Sequence, residues 1–272
     1  MELKRGRLTI NILFFSILTL YLAIGSFLNM SYVFSIPGLV DIWRPNSYIV
    51  NLVMGLVGFL GTFFLLMARR RVPAESIERR ILLLVALTSL FFGSAGLSMG
   101  IIEGMGGGEA FTHSALTLEN IIPPFLFLLS VVTGVWAIVI MINNSCAIFS
   151  RAQLLVTIVI SVLVFAGLGV LSVVTAGIEL TGLMKAAVLF FSAVCLAAVA
   201  AMTFVIMAFR RGRGRTYWIS MATGIMLIAL SGLGALFCYA IGGKWVGMAL
   251  LGFTAAMALL AYAGIRRWME LA

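Results

Sequence analysis

The sequence predicts an all-α, polytopic integral membrane helix bundle of eight transmembrane helices. Composition is the first observation behind that prediction. Of the 272 residues, 63% are hydrophobic and 10% charged, where soluble globular chains carry about 45–50% apolar and about 25% charged residues. The second is that apolar runs of about 20 residues, enough to cross the hydrocarbon core, recur along nearly the whole chain. The third is the placing of the cations, which lets every connecting loop obey one orientation. Soluble enzymes, secreted disulfide scaffolds and disordered chains are excluded. Residues 1–272 are expected to form one transmembrane domain, with no room for a separate soluble one.

The first span, 8–33, follows Lys4, Arg5 and Arg7. Its apolar run is far longer than a signal peptide's and no small-x-small cleavage site stands out, so it is expected to remain as a helix. The second span, 47–68, runs into Arg69, Arg70 and Arg71, and the third, 81–102, follows Arg79 and Arg80. The fourth, 121–142, opens on Pro123 and Pro124, tolerated in a first turn because N–H groups there have no intrahelical acceptor. Spans five (152–177) and six (183–209) share a tight outer turn, and Arg210, Arg211, Arg213 and Arg215 follow the sixth. Spans seven (216–240) and eight (245–265) complete the set, with Arg266 and Arg267 beyond the last.

These cations, with Arg151, place 15 of the 18 lysines and arginines on one side. The other side receives Arg44, Lys185 and Lys244 together with Asp41, Glu103, Glu109, Glu119 and Glu179. The positive-inside rule then puts both termini in the cytoplasm of a plasma-membrane protein. The formal charge of +9 is explained by anionic headgroups, each cation near the surface being worth about 1 kcal/mol. Nucleic acid is not the expected partner, because no aromatics interleave with Arg210–Arg215.

A weak internal repeat accompanies the topology. Residues 64–70 (FLLMARR) and 204–210 (FVIMAFR) end the second and sixth spans. Equal positions in the topology suggest two parallel four-helix halves, 1–142 and 143–272. Helix packing is expected through Gly96, Gly100 and Gly104, which leave one face of span three nearly bare. Gly55, Gly58 and Gly61 do the same for span two.

No Asp, Glu, Lys, Arg or His falls near the middle of a span, which counts against proton pumps and ion-coupled transporters. Asn11, Asn51, Ser94, Ser161, Ser192, Thr203 and Thr254 are the polar residues expected inside, as interhelical hydrogen-bonding groups. The three cysteines, Cys146, Cys195 and Cys238, share no motif and read as packing residues. A single histidine, His113, rules out a bis-histidine haem, a two-histidine iron site or a histidine-rich copper site built from this chain alone. No metal-binding site is expected. Hydrolase and transferase motifs are absent, so no catalytic residue is assigned and no activity of its own is expected.

The remaining chemistry lies at the outer boundary. Glu103 ends span three, a glycine-rich loop leads to Glu109 and His113, Glu119 starts span four, and Glu179 and Lys185 flank the next outer turn. Glu103, His113, Glu119 and Glu179 form a candidate cluster able to accept protons from a quinol. The plainer alternative is a set of solvated loop residues, with Glu119 favoured by a helix N-terminus and Glu179 paired with Lys185.

Residues 47–142 join a glycine-rich span (LVMGLVGFLGTFFLLMARRR), a basic loop with Glu75, Glu78 and Arg79, a second span and an outer loop EAFTHSALTLEN. This order resembles the polysulfide-reductase type of membrane anchor, the quinone-facing subunit of molybdopterin oxidoreductase complexes. The resemblance covers about a third of the chain. It implies about eight helices in two halves, no haem, and a quinol near the outer face beside Glu103, His113 and Glu119. An Asp-rich loop ending in Arg-Pro, which many members carry, is missing here, and a first span is added.

The expected function is therefore an integral subunit of a larger respiratory or electron-transfer membrane complex, anchoring redox partner subunits and contacting quinol. The alternative is a transporter or channel for a neutral or apolar solute. A third class, an enzyme acting on lipid or isoprenoid at the outer boundary, fits the same carboxylates.

Overall fold

The computed structural model describes residues 2–35, 47–105, 118–145, 151–175, 182–209, 214–240 and 246–271. They form eight helices: α1 (Glu2–Val33), α2 (Ser47–Arg71), α3 (Ile77–Gly104), α4 (Leu118–Ser145), α5 (Arg151–Thr175), α6 (Gly182–Phe209), α7 (Arg215–Ala240) and α8 (Val246–Glu270). No strand occurs among the described residues. Seven helices are long and apolar enough to cross a membrane, and the described apolar stretch of α5 is shorter, Leu155–Val170. The protein is a multi-pass membrane helix bundle.

The helices outrun their apolar stretches by reaching into polar flanks. α3 starts at Ile77 because Ser76 caps it, its Oγ accepting from the Glu78 N–H at 3.2 Å and satisfying one of the orphan donors of the first turn. α4 starts at Leu118, three residues before the apolar run. Pro123 and Pro124 therefore lie inside the helix instead of in its first turn, and two intrahelical hydrogen bonds are lost near its start.

Six helices close a ring in the order α2, α3, α4, α6, α7, α8, back to α2. α1 lies outside it against α8, and α5 lies outside it against α6. The contact between α4 and α6 is thin, whereas α2 is gripped closely by α3 and α8. Glycine makes that grip. A Cβ on Gly58 would lie 2.7 Å from the Gly93 Cα, and one on Gly264 of α8 would lie 2.7 Å from the Leu65 backbone nitrogen. The first crossing has glycine on both helices and the second on α8 alone, and the missing side chains let the backbones approach. The Ser89 Oγ spans the same seam, donating to the Gly58 carbonyl at 2.8 Å.

Leu65, Ile81, Leu82, Met202, Tyr217, Met257 and Leu260 fill the interior. Ile12, Leu20, Leu163 and Phe190 are among the large apolar residues left on the outside. Exposure of this kind costs nothing in lipid tails as apolar as leucine itself. At the end of the bundle where α2 finishes and α3 begins, Arg267 of α8 holds Glu78 of α3 through two bonds, Nε to Oε1 at 2.5 Å and Nη2 to Oε2 at 2.7 Å. Arg71 of α2 lies 4.7 Å from the Trp268 ring centroid and donates to the Trp268 carbonyl at 3.0 Å.

Candidate functional site

A cavity of about 60 Å³ lies between α3, α4, α6 and α7, beside the thin α4–α6 contact. Its walls come from Thr88 and Phe92 on α3, from Phe127 to Ile138 on α4, from Phe191 to Ala198 on α6, and from Ile225, Ile228 and Ala229 on α7. These positions fall near the middle of each helix, so the cavity occupies the middle of the bundle's depth. Gly134, Ala198 and Ala229 leave the space because their side chains are too short to fill it. Val135, 37% exposed, is part of the wall, so the cavity reaches the lipid-facing surface.

A row of aromatic rings bounds it toward the Glu103 end of α3. Phe253 stands 4.9 Å from Phe92, Phe92 5.5 Å from Phe127, and Phe127 5.7 Å from Phe191, centroid to centroid. The few polar atoms in the wall are already engaged. The Thr88 Oγ1 lies 2.9 Å from the Leu84 carbonyl and 3.0 Å from the Thr133 Oγ1. The Ser130 Oγ donates to the Thr88 carbonyl at 3.1 Å. With its hydroxyls turned onto backbone carbonyls, the cavity offers little to a polar solute or an ion. Size narrows the occupant further. Apolar cavities of about 150 Å³ hold a benzene ring; this one, at about 60 Å³, has room for only a few carbons of an apolar chain.

The outer cluster is placed only in part. Glu103 lies in the last turn of α3 and accepts from the Asn51 Nδ2 of α2 at 2.9 Å. Asn51 is 2% exposed, and its Oδ1 has no hydrogen-bond partner. His113 and Glu179 lie outside the described residues, as do the side chains of Glu119 and Lys185. Glu103 is thus brought together with Asn51 and with none of the other three. It stands eleven residues beyond Phe92, about three helical turns, hence on nearly the same face and ~16 Å further along the axis.

The glycines singled out in span three face α2. A Cβ on Gly96 would meet the Asn51 carbonyl at 3.2 Å, one on Gly100 the Leu52 nitrogen at 3.0 Å, and one on Gly104 the Tyr48 ring at 3.5 Å. Cys195 is buried in the cavity wall and Cys238 is half-buried, both as free thiols, while Cys146 lies outside the described residues. No group of three His, Cys, Asp or Glu able to hold a metal ion occurs among the described residues.

Sequence reasoning passed over Thr88, Ser130 and Thr133, the hydroxyls nearest the cavity. Their one local signal is the Ser130-x-x-Thr133-Gly134 spacing, which puts two hydroxyls and a bare position on adjoining turns. The Glu78–Arg267 pair was missed as well, because its members are 189 positions apart. No family model, no curated protein and no solved structure matches this chain.

Proposed function

We propose that this chain is an integral subunit of a larger respiratory or electron-transfer complex, anchoring redox subunits and seating a quinol. All eight helices span the membrane, both termini are cytoplasmic, and the Glu103 end of α3 faces outward. The cavity between α3, α4, α6 and α7 is the observation that carries this reading. It is apolar, at mid-depth, open toward lipid past Val135, and has room for a few carbons of a chain that enters from there. The isoprenoid tail enters beside α4, and the head lies at the outer boundary, where Glu103, His113, Glu119 and Glu179 accept its protons. Electrons pass to centres held by partner chains.

Gentle detergent extraction from the native membrane, followed by native gel separation, mass spectrometry and a visible spectrum of the band, tests this. Co-migration with redox subunits, with haem or flavin absorbance, is the expected result. A colourless band near 29.3 kDa, or a small multiple of it, sinks the proposal. Within an intact complex, Gln in place of Glu103, Glu119 and Glu179 should lower quinol turnover; unchanged turnover removes the outer cluster as a site.

The same cavity favours a second reading, because α3 and α4 belong to one proposed half and α6 and α7 to the other. A transporter for a neutral or apolar solute would place its site at such a junction. Solute flux in vesicles holding the chain alone would favour this reading over the first.

A further inference from the structure

A second recess lies at the inner end of α2, α3 and α4, opposite the Glu103 end. Its volume is about 750 Å³, and it is lined by Arg69, Arg79 and Arg80 together with Leu83, Leu84, Trp136 and Ile140. The three arginines that end α2 divide their work. Arg71 turns to Trp268 on α8, Arg70 stays exposed outside the recess, and Arg69 faces into it. Every ion pair among the described residues belongs to Arg266 or Arg267. Arg69, Arg79 and Arg80 therefore converge on one recess with no carboxylate to balance them. The Arg69 Nε is buried without a hydrogen-bond partner.

We infer that this recess binds one anionic phospholipid, its phosphate among Arg69, Arg79 and Arg80 and one acyl chain along α4. Charge complementarity assigns the head: guanidinium forks match phosphate oxygens, and all three arginines line the recess. The wall assigns the tail. Trp136, 60% exposed, continues the recess into Val132 and Leu128 on the outer face of α4, 59% and 57% exposed. A free phosphate would use the arginines and leave this apolar strip idle.

Native mass spectrometry of the full chain in detergent, titrated with phosphatidylglycerol or phosphatidylcholine, tests the inference. Phosphatidylglycerol should bind at least tenfold more tightly. Each Arg→Gln change at 69, 79 or 80 should weaken it about fivefold, the factor matching about 1 kcal/mol per cation, and the triple variant about a hundredfold. Arg70→Gln is the control and should leave binding within about twofold, since Arg70 lines no part of the recess. Should the triple variant fail to fold, Arg80→Gln alone carries the test, because that side chain is exposed. Equal binding of phosphatidylcholine, an equal loss from Arg70→Gln, or displacement of the lipid by equimolar inorganic phosphate would each overturn it.

Discussion

A methyl group on Gly58 would meet the Gly93 Cα at 2.7 Å, and neither backbone can turn aside as a flexible side chain would. Gly58→Ala should therefore separate α2 from α3 and cost about 1–3 kcal/mol, the range for overpacking a tight core. Thermal unfolding in a mild detergent, followed by gel filtration, measures it. Gly234 has nothing within 4 Å of its Cβ position, so Gly234→Ala should leave the midpoint unchanged or raise it slightly, alanine being the better helix former. If both changes behave alike, the seam does not limit stability. The Glu78–Arg267 pair offers a second test at this scale. Its side chains are 17% and 20% exposed, so solvent screens it little and each charge needs its partner. Glu78→Gln should cost about 1.5–3 kcal/mol, as for hydrogen bonds to charged groups. The sequence placed both residues among the inner-loop charges and no further, because no local pattern links α3 to α8. Asn51 was legible as an interhelical hydrogen-bonding group, but its partner Glu103 was read only as an outer carboxylate.

At the scale of the element, hydropathy located the helices well. Ends departed where the helix ran past the apolar stretch, back to the Ser76 cap for α3 and to Leu118 for α4. Which helices touch was illegible, because an apolar residue facing lipid and one facing a neighbour look alike in the sequence. α1 is the clearest case. It is attached to α8 through Phe14 stacked at 4.5 Å on Tyr262 and the Tyr262 hydroxyl bonded to the Asn11 Oδ1 at 2.7 Å. Only 6% of its most apolar window is buried, against 67% for α8. Backbone hydrogen exchange in detergent should thus be faster along α1 than along α8, since few buried contacts resist local opening. Tyr262→Ala should widen the difference by removing both the ring contact and the hydroxyl. Equal protection of the two helices would contradict this picture of α1 as an appendage.

For the whole molecule, the uneven ring is the main result. One joint, α2 against α8, is closed by glycine, and the opposite one, α4 against α6, is thin and adjoins the cavity. Apart from Thr88 and Ser130 the lining residues read as ordinary apolar sequence, so the cavity was invisible until the helices were placed. Ala198→Phe should fill it and abolish co-purification of an isoprenoid ligand, as judged by mass spectrometry of a solvent extract. A ligand retained at the native level would locate its seat elsewhere. The proposed orientation has its own test. A fluorescent reporter that matures only in the cytoplasm should light up when joined to either end of the chain, and a dark fusion at one end would break the even-span topology.

The position of α8 sets a timetable for biosynthesis. It is the most buried helix, enclosed by α1, α2 and α7, and it leaves the ribosome after all seven others. At about 5–20 residues per second, α1 and α2 wait in the bilayer for roughly ten seconds or more before their principal common neighbour exists. Until then the stretch of α2 at Phe64 and Leu65 that Gly264 will meet has no α8 against it. A chain halted before α8 would keep the α2–α3 pair yet lack the keystone. Quality-control proteases should therefore distinguish chains that carry the 25 residues of α8 from chains halted before them.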